Sequence, residues 1–183
     1  MNYPTNEPVT LSRNCDAVII PAGDEVVLSE GTTGMITQEL GGSFTVYIDG
    51  NLFQISGTDA DAIGKESIKP PEVPTNASEK DIETVVWQQM KTCYDPEIPI
   101  NIVDLGLIYE CNIERTENRK FLIKVKMTLT APGCGMGPIL TEDVKEKILI
   151  IPEIDVAEVE LVFDPPWNQA MMSEEAQLEA GLL

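Results

Sequence analysis

The sequence predicts an α+β protein in two parts. A small all-β domain, a barrel or rolled sheet, precedes a two-layer domain of order α-β-β-α-β-(α). Three observations carry that expectation. Short apolar runs between Gly, Pro and Asp turns fill residues 1–68. Helical and alternating periodicities intermix over residues 78–183. Between them, residues 69–77 hold three prolines and no hydrophobic period, which suits a semi-rigid linker.

In the first part, Val18-Ile19-Ile20 stops at the turn Pro21-Ala22-Gly23-Asp24. Glu25-Val26-Val27-Leu28 ends at Glu30-Gly31, and Gly34-Met35-Ile36-Thr37 ends at Gly41-Gly42. Ser43 to Ile48 alternates polar and apolar, meets Asp49-Gly50, and is followed by Asn51 to Ile55, a strong hairpin signal. Five short strands are therefore expected.

In the second part, Ser78 suits the N-cap of a helix to about Thr92, with Glu79 and Asp81 favourable in its first turn. Ile82, Val85, Val86 and Met90 share one face at helical spacing. Asp95-Pro96-Glu97-Ile98-Pro99 stops that helix. Leu107 to Ile113 reads as a strand and Lys120 to Thr130 as a longer one, with Phe121, Ile123, Val125 and Met127 on one side. After a Gly/Pro loop, Pro138 opens a helix to about Ile150. Glu158 to Phe163 is a third strand, and Ser173 caps a short terminal helix.

Composition excludes much. Twelve cations stand against 31 carboxylates, a formal charge of −19 over 183 residues. Residues 1–68 carry ten acids and two cations, and residues 78–183 twenty and nine, so both parts are acidic. Such a field repels phosphate backbones and anionic lipid, which argues against nucleic-acid and membrane-surface partners. There is no histidine. That removes Ser-His-Asp and Cys-His catalysis and every His-containing metal site. The four cysteines, Cys15, Cys93, Cys111 and Cys134, form no CxxC pair. The polar start lacks a secretory pattern and no apolar run reaches about 20 residues, so the expected compartment is the reducing cytoplasm.

The most informative stretch runs from Thr128 to Pro138. Cys134 lies between Gly133 and Gly135, with Gly137 just beyond, where a strand hands over to a helix. The glycines let backbone N–H groups approach an anion, and a helix start adds positive potential. Both lower a thiol pKa, commonly to about 3.5–7.5. Thr130 can offer a hydroxyl to the same mouth. The plainer alternative is a tight connection with an incidental small residue.

Asp95, Glu97 and Asp104 give three carboxylates within ten residues, able to bind a hard cation, orient a thiol or transfer protons. Equally, Asp95 and Asp104 can cap backbone N–H groups in Asx turns. Trp167, after Pro165-Pro166, offers rigid area to a partner or folds back as a core plug. Met171-Met172 supply soft ligands or packing. Asp59-x-Asp61-x-x-Gly64 fails as a calcium loop, because Ile63 fills a ligand slot and Pro70 stands at the twelfth position.

Together, Asp95-Pro96-Glu97-Ile98-Pro99, Asp104-Leu105-Gly106-Leu107-Ile108-Tyr109, Leu129-Thr130-Ala131-Pro132-Gly133-Cys134 and Pro165-Pro166-Trp167 resemble the SufT-type metal–sulfur cluster assembly domain. The resemblance covers residues 78 to about 181, and residues 34–42 and 57–62 resemble the N-terminal extension of the long bacterial form. It implies an auxiliary factor in iron–sulfur protein maturation with the α+β fold above, often dimeric. Cys134 takes the position of the family's functional cysteine, Asp95 and Glu97 match its acidic signature, and Thr130 lies in the same loop. The implied partners are the iron–sulfur assembly machinery and apoprotein clients. No cofactor is held permanently, and iron or a cluster is bound transiently. A cluster usually takes four thiolates, which one loop cysteine cannot provide. Cys134 therefore pairs across a dimer, borrows ligands from a partner or small thiol, or holds iron only in passing. The alternatives are a thiol enzyme with Cys134 as nucleophile and an interaction module anchored by Trp167.

Overall fold

The computed structural model describes residues 6–95, 98–131 and 137–182. The chain forms two compact units, Met1–Lys69 and Pro70–Leu183.

In the first unit, strands β1 (Glu7–Thr10), β2 (Cys15–Ile20), β3 (Glu25–Leu28), β4 (Thr33–Leu40), β5 (Ser43–Ile48) and β6 (Asn51–Ile55) make one sheet in the order β1-β4-β5-β6-β2-β3. Every pairing is antiparallel. Among the described residues there are six strands rather than five. The unexpected one, β1, carries Pro8, which lacks an N–H and is tolerated on an edge strand such as this. The pairing order runs between two edges, β1 and β3, and shows no closure into a barrel among the described residues. The β5–β6 turn is Asp49-Gly50, with φ of 47° and 91°, the left-handed pair that matches strand twist in a tight hairpin. One face of the sheet holds Val9, Ile36, Phe44, Val46, Ile48 and Ile55 in a single cluster with Ala60 and Ile63.

Those last two belong to a 3-10 segment, Gly57–Ile63, capped by Ser56. Arg13 reaches it across the chain. Its Nη2 lies 2.7 Å from Asp59 Oδ1 and 2.6 Å from Asp61 Oδ1, and Nε donates to Asp61 Oδ2 at 2.8 Å. The acidic pair that imitates a calcium loop is thus occupied by a guanidinium.

In the second unit, helix α1 (Glu79–Met90) begins in a capping box. Ser78 Oγ accepts from Asp81 N–H, and the Asp81 carboxylate accepts from Ser78 N–H at 2.8 Å. Strands β7 (Ile108–Arg115), β8 (Phe121–Met127) and β9 (Ile154–Leu161) form a sheet in sequence order. β7 runs antiparallel to β8, and β9 runs parallel to it through the crossover helix α2 (Gly137–Leu149). The terminal helix α3 (Glu174–Glu179) is capped by Ser173.

Strict alternation fixes which side of β8 is buried. Phe121, Ile123, Val125 and Met127 join Ile82, Val86 and Met90 of α1 and Leu140, Val144 and Ile148 of α2 in one core. Each such side chain contributes about 1.5–3 kcal/mol on full burial. On the opposite side, Lys124 pairs with Glu114 and Lys126 with Glu110, both at 2.9 Å.

Candidate functional site

Three stretches define the region singled out by the sequence: the turn after α1, the lead into β7, and the β8–α2 connection. After α1, Cys93 is fully buried and its carbonyl accepts from Ile102 N–H at 3.0 Å. Tyr94 and Asn101 form an isolated antiparallel bridge. Between them Asp95 is buried, only 5% exposed. Its N–H donates to Ile100 O at 3.2 Å, and its Oδ1 accepts from Ile98 N–H at 2.9 Å. The Asx-turn role thus suits Asp95, a carboxylate inside a tight loop.

Asp104 sits differently. The Asx residue of its turn is Asn101, whose Oδ1 accepts from Asp104 N–H at 2.9 Å while its Nδ2 donates to Asp104 Oδ2 at 2.6 Å. Lys91 approaches Asp104 Oδ1 at 3.5 Å, and the Asp104 carbonyl accepts from Ser173 N–H at 2.8 Å. Asp104 therefore ties together the end of α1, the 101–104 turn and the start of α3. Gly106 follows with φ +70°, and an added Cβ would run into the Met171 carbonyl. Both facts require glycine there.

The β8–α2 connection is held at its stems. Thr128 is buried and its N–H donates to Leu107 O at 2.9 Å; Thr130 is half-buried. Gly137 is buried where a Cβ would lie 3.0 Å from Leu129 Cδ1 and 3.1 Å from Leu161 Cδ1, so the helix start packs closely on the strand ends. Cys134, Gly133, Gly135 and Glu97 lie outside the described residues.

Trp167 is half-buried against the core, and its indole Nε1–H donates to Leu105 O at 2.8 Å. Tyr109 Oη donates to Pro165 O at 2.8 Å. Met172 is buried in the core, as packing would have it.

Burial governs the other three thiols. Burial pushes Cys93 well above its ordinary value, and Asp143 adds to this while Lys147 opposes it. Burial likewise raises Cys111 to about 11, with Glu83 contributing, and Cys15 to about 11, with Asp59 contributing. Cys15 and Cys93 belong to separate cores. Among the described residues no group of three or more Cys, Asp or Glu is disposed to hold a metal ion.

Sequence reasoning passed over Lys147, a lysine only 5% exposed whose charge acts on Cys93. A signal for it exists. Leu140, Val144, Ile148 and Ile151 form a buried stripe, and position 147 falls within it at seven and three residues from the first two.

A family model described as iron–sulfur cluster assembly protein matches residues 83–161. A Porphyromonas gingivalis protein named "Fe-S protein maturation auxiliary factor" is 42% identical over 101 residues, 55% of this chain and 92% of its own length. The chain belongs to the iron–sulfur cluster assembly protein family. A Staphylococcus aureus relative, "Fe-S protein maturation auxiliary factor SufT", is 43% identical over 48% of this chain and 96% of its own length. A solved Bacillus anthracis structure titled as a domain of unknown function, DUF59, shows 32% identity and a TM-score of 0.48 over 57% of this chain and 95% of its own.

The family span takes in Asp95, Glu97, Asp104, Thr130 and the whole Gly133–Gly137 stretch with Cys134, so every carboxylate and thiol of the candidate site lies inside it. Trp167 and the six-stranded unit lie outside it. Within the family domain, the end of α1 meets the β7 lead-in through Lys91 and Asp104, and that lead-in meets the β8 stem through Leu107 O and Thr128 N–H.

Proposed function

We propose that this chain is a non-enzymatic auxiliary factor in iron–sulfur cluster assembly or delivery to apoproteins. Cys134 serves as a transient thiolate ligand or relay for iron or a cluster, which is cargo and not a resident cofactor. Membership of the family supports the process, as do the names of relatives matched over nearly their full length. One observation carries the choice of atom. Cys15 and Cys93 are buried and Cys111 is half-buried, and burial raises all three thiols above their ordinary values, which favours Cys134, inside the matched family span, as the ligand. Asp95 and Glu97 shape the site beside it, with Asp104 and Thr130 supporting. The Gly133, Gly135 and Gly137 backbone offers N–H groups to an anionic sulfur. A single thiolate leaves coordination positions open, and an open set suits a carrier that must release its load. The missing ligands come from a second copy, a partner protein or a small thiol. The setting is the cytoplasm, among assembly proteins and apoprotein clients. Among the described residues no helix is long and apolar enough to cross a membrane.

The test is anaerobic reconstitution with ferrous iron and sulfide, comparing wild type with Cys134→Ser at matched far-ultraviolet dichroism. Charge-transfer absorbance in wild type, absent from the variant, is the expected result. In a strain lacking the chromosomal copy, the variant should fail to restore iron–sulfur enzyme activity. Equal absorbance and full complementation by Cys134→Ser overturn the assignment.

A further inference from the structure

The outer face of the first unit's sheet carries an apolar row that the family match does not reach. Register defines it: Met35 of β4 pairs with Tyr47 of β5, Tyr47 with Leu52 of β6, and Leu52 with Ile20 of β2. Directly paired residues point to one side of a sheet. The neighbours that alternate with them, Ile36, Val46 and Phe53, pack with the core on the other side. Met35 is 39% exposed, Tyr47 46% and Leu52 36%. Val27 of β3, 63% exposed, faces the same way, because its partner Asp16 alternates with core residues Cys15 and Ala17. All the large exposed hydrophobic side chains described in this unit therefore lie on one face. Such concentration marks an interaction surface more often than scattered exposure does.

Charge identifies what would cover it. No strand of the sheet contains Lys or Arg. The unit's three cations are already paired, Arg13 with Asp59 and Asp61, Lys65 with Glu7, and Lys69 with Glu66. Two carboxylates, Asp16 and Glu25, lie on the outer face itself, opposite Val27 and Val18. An apolar strip edged by acid with no cation on its strands repels a second copy of this acidic chain and anionic lipid alike. It attracts a polypeptide that presents aliphatic or aromatic side chains between lysines or arginines. We propose that this face is a docking surface for a basic, apolar segment of a partner protein. The proposal stands apart from the role of Cys134.

The test uses the full-length chain and a defined probe, a twelve-residue peptide alternating Leu and Lys, with a Leu/Glu peptide as control. The triple variant Met35→Thr, Tyr47→Thr, Leu52→Thr removes the apolar row, keeps the charge and retains β-forming residues. Titration calorimetry should give saturable binding of the Leu/Lys peptide by wild type, at least tenfold weaker binding by the variant, and no binding of Leu/Glu. Asp16→Asn with Glu25→Gln should weaken it several-fold. Equal affinity of wild type and triple variant, which means attraction by net charge alone, overturns the proposal, as does absence of binding to wild type. A wild-type dimer that the triple variant turns into a monomer in sedimentation also overturns it, by giving the face to a second copy.

Discussion

Trp167 hands its indole N–H to the carbonyl of Leu105 at 2.8 Å, joining the segment after β9 to the turn before β7. The bond links residues 62 apart in sequence and anchors the turn that carries Asp104. Trp167→Phe keeps most of the ring and deletes the donor, leaving Leu105 O without it, for an expected loss of about 1–2 kcal/mol. Trp167→Ala also removes the half-buried ring and should cost about 3 kcal/mol. Urea midpoints at constant slope measure both. If Trp167 served only as an anchor for a partner, neither variant would move the midpoint.

Gly106→Ala combines two penalties. Its left-handed φ of +70° costs a non-glycine residue about 1–2 kcal/mol, and a Cβ has no room beside the Met171 carbonyl. Crowding of this kind adds about 1–3 kcal/mol, so we expect a total of about 2–5 kcal/mol in urea unfolding. Gly64→Ala isolates the first part, since Gly64 has φ +73° and open space around it, and should cost only about 1–2 kcal/mol. Similar losses for both variants would mean that the Met171 segment yields freely.

Much of this architecture is written locally in the chain. The 121–127 alternation names the buried side of β8, Asp49-Gly50 names the hairpin, and Ser78 with Asp81 names the start of α1. What the chain hides are relations between distant residues. Strand β1 is four residues long and contains Pro8, so only its pairing with β4 makes it a strand. The parallel β8–β9 pairing depends on how α2 crosses over, which periodicity does not encode. The site shows the same limit. Asp95 capping a neighbouring N–H is a local habit of Asp, and the sequence suggests it. Asp104 meeting Lys91 and Ser173, or a buried Lys147 whose charge acts on Cys93, depends on packing of elements far apart in sequence.

Acid titration should expose the Arg13 clasp. Hydrogen bonds from Arg13 hold the Asp61 carboxyl below its ordinary range. A depressed carboxyl stabilises the fold fully above its unfolded value of about 3.9, and that stabilisation is lost as pH falls through the lower folded value. Arg13 stays charged throughout. The first unit of wild type should therefore lose thermal midpoint more steeply than Arg13→Gln between pH 5 and 2.5. At pH 7 the gap between the two should be small and shrink further in 0.5 M NaCl, because the pair is solvent-exposed and screened. Parallel curves for the two proteins would mean that the clasp contributes no pH dependence.

Thiol chemistry separates the cysteines most sharply. A thiol at about 11, as burial makes Cys15 and Cys111, is roughly 0.1% thiolate at pH 8, whereas an ordinary cysteine near 8.5 is about a quarter ionised. Ionisation alone therefore slows their alkylation by about two orders of magnitude, and burial of Cys93, raised further still, slows it more. Iodoacetamide at pH 8 followed by peptide mass spectrometry should find these three sites nearly unmodified in the native protein and fully modified in 6 M guanidinium. Cys134 should react first, and its rate should persist when the pH is lowered to 6.5, where an ordinary cysteine would slow by more than tenfold. A Cys134 rate that falls with pH like that of a free thiol would show that its loop does not stabilise the thiolate.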